Sequence, residues 1–409
     1  MVPERRYVQL GLIALLQVLG MAMWFSASAV LPALRTQWHI GDLAAVWLTT
    51  SVQLGFVAGA VVSAVSNLAD RFPPQYVATA GALGAAAATA AVPLTAHGLP
   101  AAIVCRLFVG FFLAGVYPVG MKLMASWFGS TGRGLALGVL VGALTVGSAL
   151  PQLINGLGGL PWQGVLYTSA AIGLAAAVLA GTVVRAGPRL GSGAVRHRPR
   201  YVLDMFRERG PLLANLGYFG HMWELYAVWT WLPTFLAHGQ RAGVTTVGVT
   251  AFLTIGGAGL LGCLLGGRAA DRYGRAPVAG LALLVSGACC LLSPLFYTAS
   301  RPLLAVLLLV WGAAVIADSG VFSTALSEVA DQRYVGTALT AQTAIGFLLT
   351  VVTISVVPVA AQLLGWRYAF WVLVPGPAVG ALAMRGLHAF QRTRTPRPSA
   401  RHQPTGGTP

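Results

Sequence analysis

The side chains in this sequence that could do chemistry are few, and they sit where water is scarce. Arg106, Tyr117, Lys122, His221, Glu224 and Asp318 each lie inside a long apolar run, and an ionisable group in such a place is costly enough that it defaults to a functional reading. Arg106 and Tyr117 are eleven residues apart, so on a straight helix they share a face, while Lys122 points away unless Pro118, which removes a backbone hydrogen bond, bends the helix. His221 and Glu224 are three residues apart, close enough on one helix face to share a proton or a hydrogen bond. Trp311, Val315, Asp318 and Phe322 form one helical stripe. Such groups suit a proton relay or a site for a charged solute, and Glu224 leads as the carrier of a proton, with Asp318 second. Each has a plainer alternative. Arg106 could serve equally by bonding backbone carbonyls of neighbouring helices, Lys122 suits an interfacial position from which it snorkels, and Asp318 could be half of a charge pair that locks helices together.

The elements that must position these residues follow from composition. Of 409 residues, 56% are hydrophobic and 9% charged, with a mean hydropathy of +0.75, against about 25% charged in soluble domains. A chain of this kind crosses a membrane many times. Its net charge of +16 would fit a nucleic-acid partner only if the 26 basic residues gathered on a soluble face, and no soluble segment is long enough to present one. Nucleotide chemistry is excluded too: the single lysine, Lys122, is followed by Leu, so there is no phosphate-binding Walker loop. Gly257-Ala-Gly259-Leu-Leu-Gly262 spells a dinucleotide fingerprint, but it lies in an apolar run with no strand before it. Cys105, Cys263, Cys289 and Cys290 all fall inside apolar runs and read as small buried hydrophobes with no metal or disulfide role. No metal-ligand cluster and no nucleophile paired with a base is present, so neither a cofactor nor an enzyme activity is expected.

Apolar stretches bounded by Pro, Gly or charge fall at 7–34, 45–66, 76–96, 100–124, 133–157 and 162–184, and again at 210–236, 246–267, 276–298, 301–327, 334–361 and 366–387. Each is long enough to cross a hydrocarbon core of about 30 Å. The first follows Arg5-Arg6 and reaches Ala27-Ser28-Ala29, a pattern like a cleaved signal, but it is too long for one and reads as a span. The expectation is an all-α membrane protein of twelve spans in two sets of six: a bundle over 1–184, a linker over 185–209 holding seven arginines, a second bundle over 210–387, and a disordered basic tail over 388–409. With both termini inside, cytoplasmic segments hold 20 arginines and outer loops 4, which fixes the orientation and assigns most of the net charge to the positive-inside rule and to anionic lipid. Small residues at helical spacing, as in Gly55-x-x-x-Gly59, Gly138-x-x-x-Gly142 and Gly262-x-x-x-Gly266, mark close helix packing.

Two charged turns tie the halves together. Gly267-Arg-Ala-Ala-Asp271-Arg272-Tyr-Gly274-Arg275 recurs in degraded form as Ser66-Asn-Leu-Ala69-Asp70-Arg71-Phe72-Pro73-Pro74, offset by 201 residues. The form G-x-x-x-D-R-x-G-R between two membrane helices resembles the loop motif of the major facilitator superfamily, carried after the second and eighth spans. The fourth span, with Arg106-x-x-x-Gly110-x-x-x-Ala114-Gly115-x-Tyr117-Pro118-x-Gly120-x-Lys122, is similar to that of branches carrying nitrate, sugar phosphates and organic anions. The resemblance covers about 380 residues. It implies two six-helix bundles around a central site lined by spans one, four, seven and ten, opening alternately to each side of a plasma (inner) membrane. It also implies that Asp70 and Asp271, flanked by Arg71, Gly267, Arg272, Gly274 and Arg275, act as gates by meeting helix N-termini of the opposite half.

Departures from the pattern refine this. Ser66, Pro73 and Pro74 stand where the family turn has Gly, Gly and Arg, so the first gate should be the weaker. The fifth span has Gly138-x-x-x-Gly142-Ala143 where drug antiporters have Gly-Pro, and neither the second nor the eighth span carries the arginine of nitrate carriers. The reading is a monomeric, proton-coupled secondary transporter of a small organic or inorganic anion. The rival is a proton-driven antiporter expelling a drug or metabolite, which the aromatic seventh span with Trp223, Tyr226, Trp229, Trp231 and Glu224 would serve.

Overall fold

Backbone polar groups cannot be left to hydrocarbon, so the apolar runs fold as helices. A computed structural model describes residues 2–66, 68–128, 133–189, 201–331 and 333–394. It does not describe the side chains of residues 2–4, Asp42, Ala69, Asp70, Arg133 and Arg394. Among the described residues every regular element is helical. Twelve spans succeed one another, and ten of them are long and apolar enough to cross a membrane by length and composition. The other two are the first, which is interrupted, and the seventh, whose 32 residues Arg209–Gln240 include Asn215, His221 and Glu224.

Three of the four spans expected to line the centre are broken. The first runs Val2–Met21, unwinds over 22–25, and resumes as Ser26–Ala29 and Leu31–Trp38. The fourth is Leu99–Leu113 and Tyr117–Trp127, joined by a turn in which Gly115 and Val116 donate three residues back, to Phe112 O at 2.9 Å and Leu113 O at 2.9 Å. Pro118 stands just beyond this turn and cannot donate to Ala114. The tenth is Arg301–Ala317 and Ser319–Val329, hinged at Asp318. Only the seventh is continuous. The eighth passes through one π-helical stretch, Leu253–Ala258, between Val244–Phe252 and Gly259–Tyr273.

The duplication is visible in packing as well as in the turns. A Cβ at Gly55 or Gly59 of the second span would strike the carbonyl oxygen of Leu107 or Phe111 on the fourth. In the second half, one at Gly262 or Gly266 of the eighth span would strike that of Ala313 or Ala317 on the tenth. The converse contacts, Gly110 on Val52 O and Gly312 on Thr254 O, repeat likewise. Each half thus contains a pair of helices in backbone contact, the arrangement that small residues allow.

The halves meet along two seams. The fifth span, Arg133–Gly158, packs along the eighth from end to end, and the second, Trp47–Val65, packs on the eleventh, Val335–Leu364. Two boundaries differ from the sequence expectation. The last helix, Pro375–Arg394, carries helix into the segment expected to be disordered, because residues 388–394 hold no proline or glycine to stop it. The linker begins as a strap: Gly187 N donates to Ser126 Oγ (2.8 Å), and Trp127 Nε1 donates to Arg185 O (2.8 Å). It ends with a short helix, Tyr201–Asp204, while 190–200 and the tail from 395 lie outside the described residues.

The seam within the first half gives a direct test. Gly110→Val drives a side chain into the Val52 carbonyl, so it should cost about 1–3 kcal/mol or more and lower the yield of folded protein on size exclusion. A variant of wild-type yield and melting temperature would contradict the backbone contact.

Candidate functional site

Arg106 is fully buried on the fourth span and bonds the backbone of neighbouring helices. Its Nε donates to Leu48 O (3.3 Å), and Nη1 donates to Met23 O (3.0 Å) and Ser26 Oγ (3.0 Å), while Nη2 donates to Trp24 O. Met23 and Trp24 belong to the unwound stretch of the first span, whose carbonyls have lost their helical partners. A planar cation with five donors fits a cluster of such acceptors, where an ammonium could not span them. The alignment of Arg106 with Tyr117 does not survive: the break at 114–116 separates them into two helices. Tyr117 lies instead within electrostatic range of Tyr218, Tyr226 and Cys263 of the other half. Lys122 is half-buried on the second segment of the span.

The pairing of the acidic groups also differs from the sequence expectation. His221 does not pair with Glu224. Its Nδ1 lies 2.9 Å from Asp318 Oδ1, linking the seventh span to the hinge of the tenth, with both side chains 1% exposed. The approach is a close contact of the two groups without the alignment of a good hydrogen bond, and His221 Nε2 has no partner among the described residues. Glu224 turns the other way. Ser286 Oγ donates to its Oε2 (2.7 Å), and Trp311 Nε1 (2.8 Å) and Cys290 Sγ (3.2 Å) donate to Oε1. Three donors on the ninth and tenth spans therefore hold this carboxylate, which the one-helix geometry of residues 221 and 224 could not reveal. Ser286 and Cys290, spaced four apart on the ninth span, escaped the sequence reading because a serine and a cysteine in an apolar run look like packing.

Above these groups the halves close on one aromatic cluster. Trp24 packs on Phe56, Tyr226 and Phe347 with centroids 5.0, 5.9 and 5.5 Å apart, and Phe25 packs on Tyr226 and Trp229 at 5.8 and 5.9 Å. All six rings are buried. The indole nitrogens of Trp24 and Trp229 and the amides of Gln17, Gln53 and Gln342 are buried without partners among the described residues.

The second charged turn packs against the opposite half. A Cβ at Gly134 would strike the Asp271 carboxylate, so this anion sits against the N-terminus of the fifth span, in the opposite half, where the helix dipole and free N–H groups favour it. Gly274 caps the eighth span at φ +91°, which explains the glycine. Arg275 pairs with Glu328 of the tenth span, and the Arg272 guanidinium lies over Tyr273 at 5.2 Å. Gly267 packs near the Gly134 carbonyl. In the first turn Arg71 lies over Phe72 at 5.8 Å, and the side chain of Asp70 is outside those described.

The sequence matches the Major Facilitator Superfamily over residues 13–265 and again over 214–409. The chain belongs to the Major Facilitator Superfamily. This superfamily member is therefore a membrane transporter, and its fold neighbours are transporters too. The bacterial homolog of the human lysosomal transporter Spinster, in an inward-facing and unoccupied conformation, is 17% identical with a TM-score of 0.69, covering 94% of this chain and 98% of that one. The xylose transporter XylE from E. coli, partially occluded and inward open, is 16% identical with a TM-score of 0.70 over 96% and 98%. A D-xylose-proton symporter is 16% identical with a TM-score of 0.73 over 92% and 96%. At these identities the likeness is one of fold. Among curated proteins, "Probable anion transporter 4, chloroplastic" from Oryza sativa subsp. japonica is 25% identical over 206 residues, 45% of this chain and 34% of that protein. The chain thus matches about a third of that relative's length.

Two outcomes follow from this geometry. Arg106→Lys leaves acceptors at the break of the first span unpaired, each costing about 1–3 kcal/mol, so the melting temperature in detergent should fall. Unchanged stability with weakened solute binding would return Arg106 to the solute. Asp271→Asn should slow transport at unchanged membrane abundance, because it acts on the equilibrium between the two access states, and wild-type rates would remove the gate.

Proposed function

We propose that this transporter moves a small organic or inorganic anion together with protons, in a plasma (inner) membrane with both termini cytoplasmic. The supporting observation is the His221–Asp318 contact, a buried imidazole and carboxylate on two central spans, one of them hinged at the carboxylate itself. A proton taken up there neutralises Asp318 and weakens its hold on His221, so protonation and the bend of the tenth span become linked. The carboxylate better suited to carry the proton is therefore Asp318, with Glu224 retained as a tie among the seventh, ninth and tenth spans.

The anion class draws on the distribution of charge. Inside the spans, the first half carries Arg106 and Lys122 and no carboxylate, and the second carries His221, Glu224 and Asp318 and no Lys or Arg away from span ends. A negative solute is drawn to the first half, and the proton is held in the second. The indole N–H groups of Trp24 and Trp229, which have no partner among the described residues, are donors only, which fits a solute rich in acceptors. The relative named as an anion transporter points the same way.

Proteoliposomes given a pH gradient and a panel of organic acids and inorganic anions test this reading. One pH unit can drive at most about tenfold accumulation per proton. Asp318→Asn should keep exchange of labelled solute but lose that accumulation, while Glu224→Gln should keep accumulation and lower thermal stability. An Asp318→Asn variant that still concentrates solute with protons as the only driving force would sink the assignment.

A further inference from the structure

Between the fifth, eighth and tenth spans lies a cavity of about 250 Å³. One end of it carries Asp271, Arg275 and Glu328, at the charged turn that closes the eighth span and at the last turn of the tenth. From there it follows one face of the tenth span, past Ser327, Thr324, Gly320 and Ala317, spaced three or four residues apart. The hydroxyls of Ser327 and Thr324 donate to Thr324 O (2.8 Å) and Gly320 O (3.1 Å), so the wall of the cavity carries hydroxyl oxygens along this face. Since a water molecule occupies about 30 Å³ in the liquid, the volume admits several.

The inner end of the cavity comes close to the His221–Asp318 contact. Cys263 lines it there, a buried thiol whose contact with Ile316 O is a weak one at 3.8 Å, and the same thiol is within range of the Asp318 charge. The titratable groups around Asp318 are His221 from the seventh span and Cys263 from the eighth, with Tyr117 of the fourth beyond Cys263 and Glu224 acting on His221. On its other flank His221 is screened by Phe322 and Tyr218, with ring centroids 5.4 and 6.3 Å away. We infer that this cavity is the route by which protons pass between the cytoplasm and the His221–Asp318 pair, with Cys263 as the side chain that closes its inner end. The inference rests on the proton-coupled reading above.

Gly320 offers the means to test it. A Cβ there meets nothing nearer than Val141 Cγ2 at 3.9 Å, so the position accepts a side chain and a large one fills the cavity. In proteoliposomes with a trapped pH dye, Gly320→Leu should retain solute exchange and slow solute-linked proton movement about tenfold or more, a loss of at least one decade in rate. Gly320→Ala should remain near wild type. Proton movement at the wild-type rate in Gly320→Leu, with the wild type itself driven by protons, overturns the route and leaves the function intact. A wild type that protons do not drive overturns both. If Gly320→Leu loses exchange as well, the wild-type protein decides. A small cationic methanethiosulfonate added from the cytoplasmic side, followed by peptide mass mapping, should modify Cys263 and spare Cys290. An unmodified Cys263 refutes the route.

Discussion

A bilayer core offers no water to a carbonyl oxygen, and much of this structure depends on how one side chain meets that constraint. The first span unwinds over residues 22–25 close to the middle of its length, exposing carbonyls that hydrocarbon could not satisfy. Arg106 reaches across from the fourth span and takes up Met23 O, Trp24 O and the Ser26 hydroxyl, and it reaches the second span through Leu48 O. One guanidinium therefore joins three helices of the first half and makes a break in the first span tolerable. The break in turn places Trp24 and Phe25 where they meet Tyr226, Trp229 and Phe347 of the second half. The aromatic contact between the halves is thus downstream of an arginine bonded to the backbone at the break.

The second half solves a related problem with acids. Glu224 is buried among three donors, and Asp318 sits at a hinge against an imidazole. A carboxylate surrounded by donors is well solvated by protein, whereas Asp318 Oδ1 meets an imidazole in poor alignment and has no hydrogen-bond partner among the described residues. The two carboxylates thus differ in how fully the protein satisfies them, although both are acids within apolar runs.

Much of the fold was legible in the sequence, because the twelve apolar runs and the repeated Asp-Arg turn are signals of length and composition that tertiary context does not overrule. The site was legible by residue type and not by partner. Arg106, His221, Glu224 and Asp318 stood out as ionisable groups in apolar surroundings, and all four are buried. What they touch depends on helices far apart in the chain. The contact of residues 221 and 318 spans 97 positions, and the break at 114–116 that parts Arg106 from Tyr117 comes from a glycine and a proline whose combined effect on a helix shows only once it is packed. Helical spacing on a straight cylinder was the wrong ruler for spans that are not straight.

The anchoring of Arg106 also has an electrical consequence. Carbonyl dipoles hold its charge, and apart from Glu4 at the very start of the first, the spans of the first half have no carboxylate in their sequence. A unit charge carried across the whole membrane does work of about 2.3 kcal/mol per 100 mV, and one shifted along the field by a fraction of the thickness does that fraction. Because Arg106 is bonded to helices of its own half, it can cross the voltage only as far as that half rocks. The membrane potential therefore acts chiefly on what travels through the protein, and the resident cation contributes to the local field while drawing little current of its own.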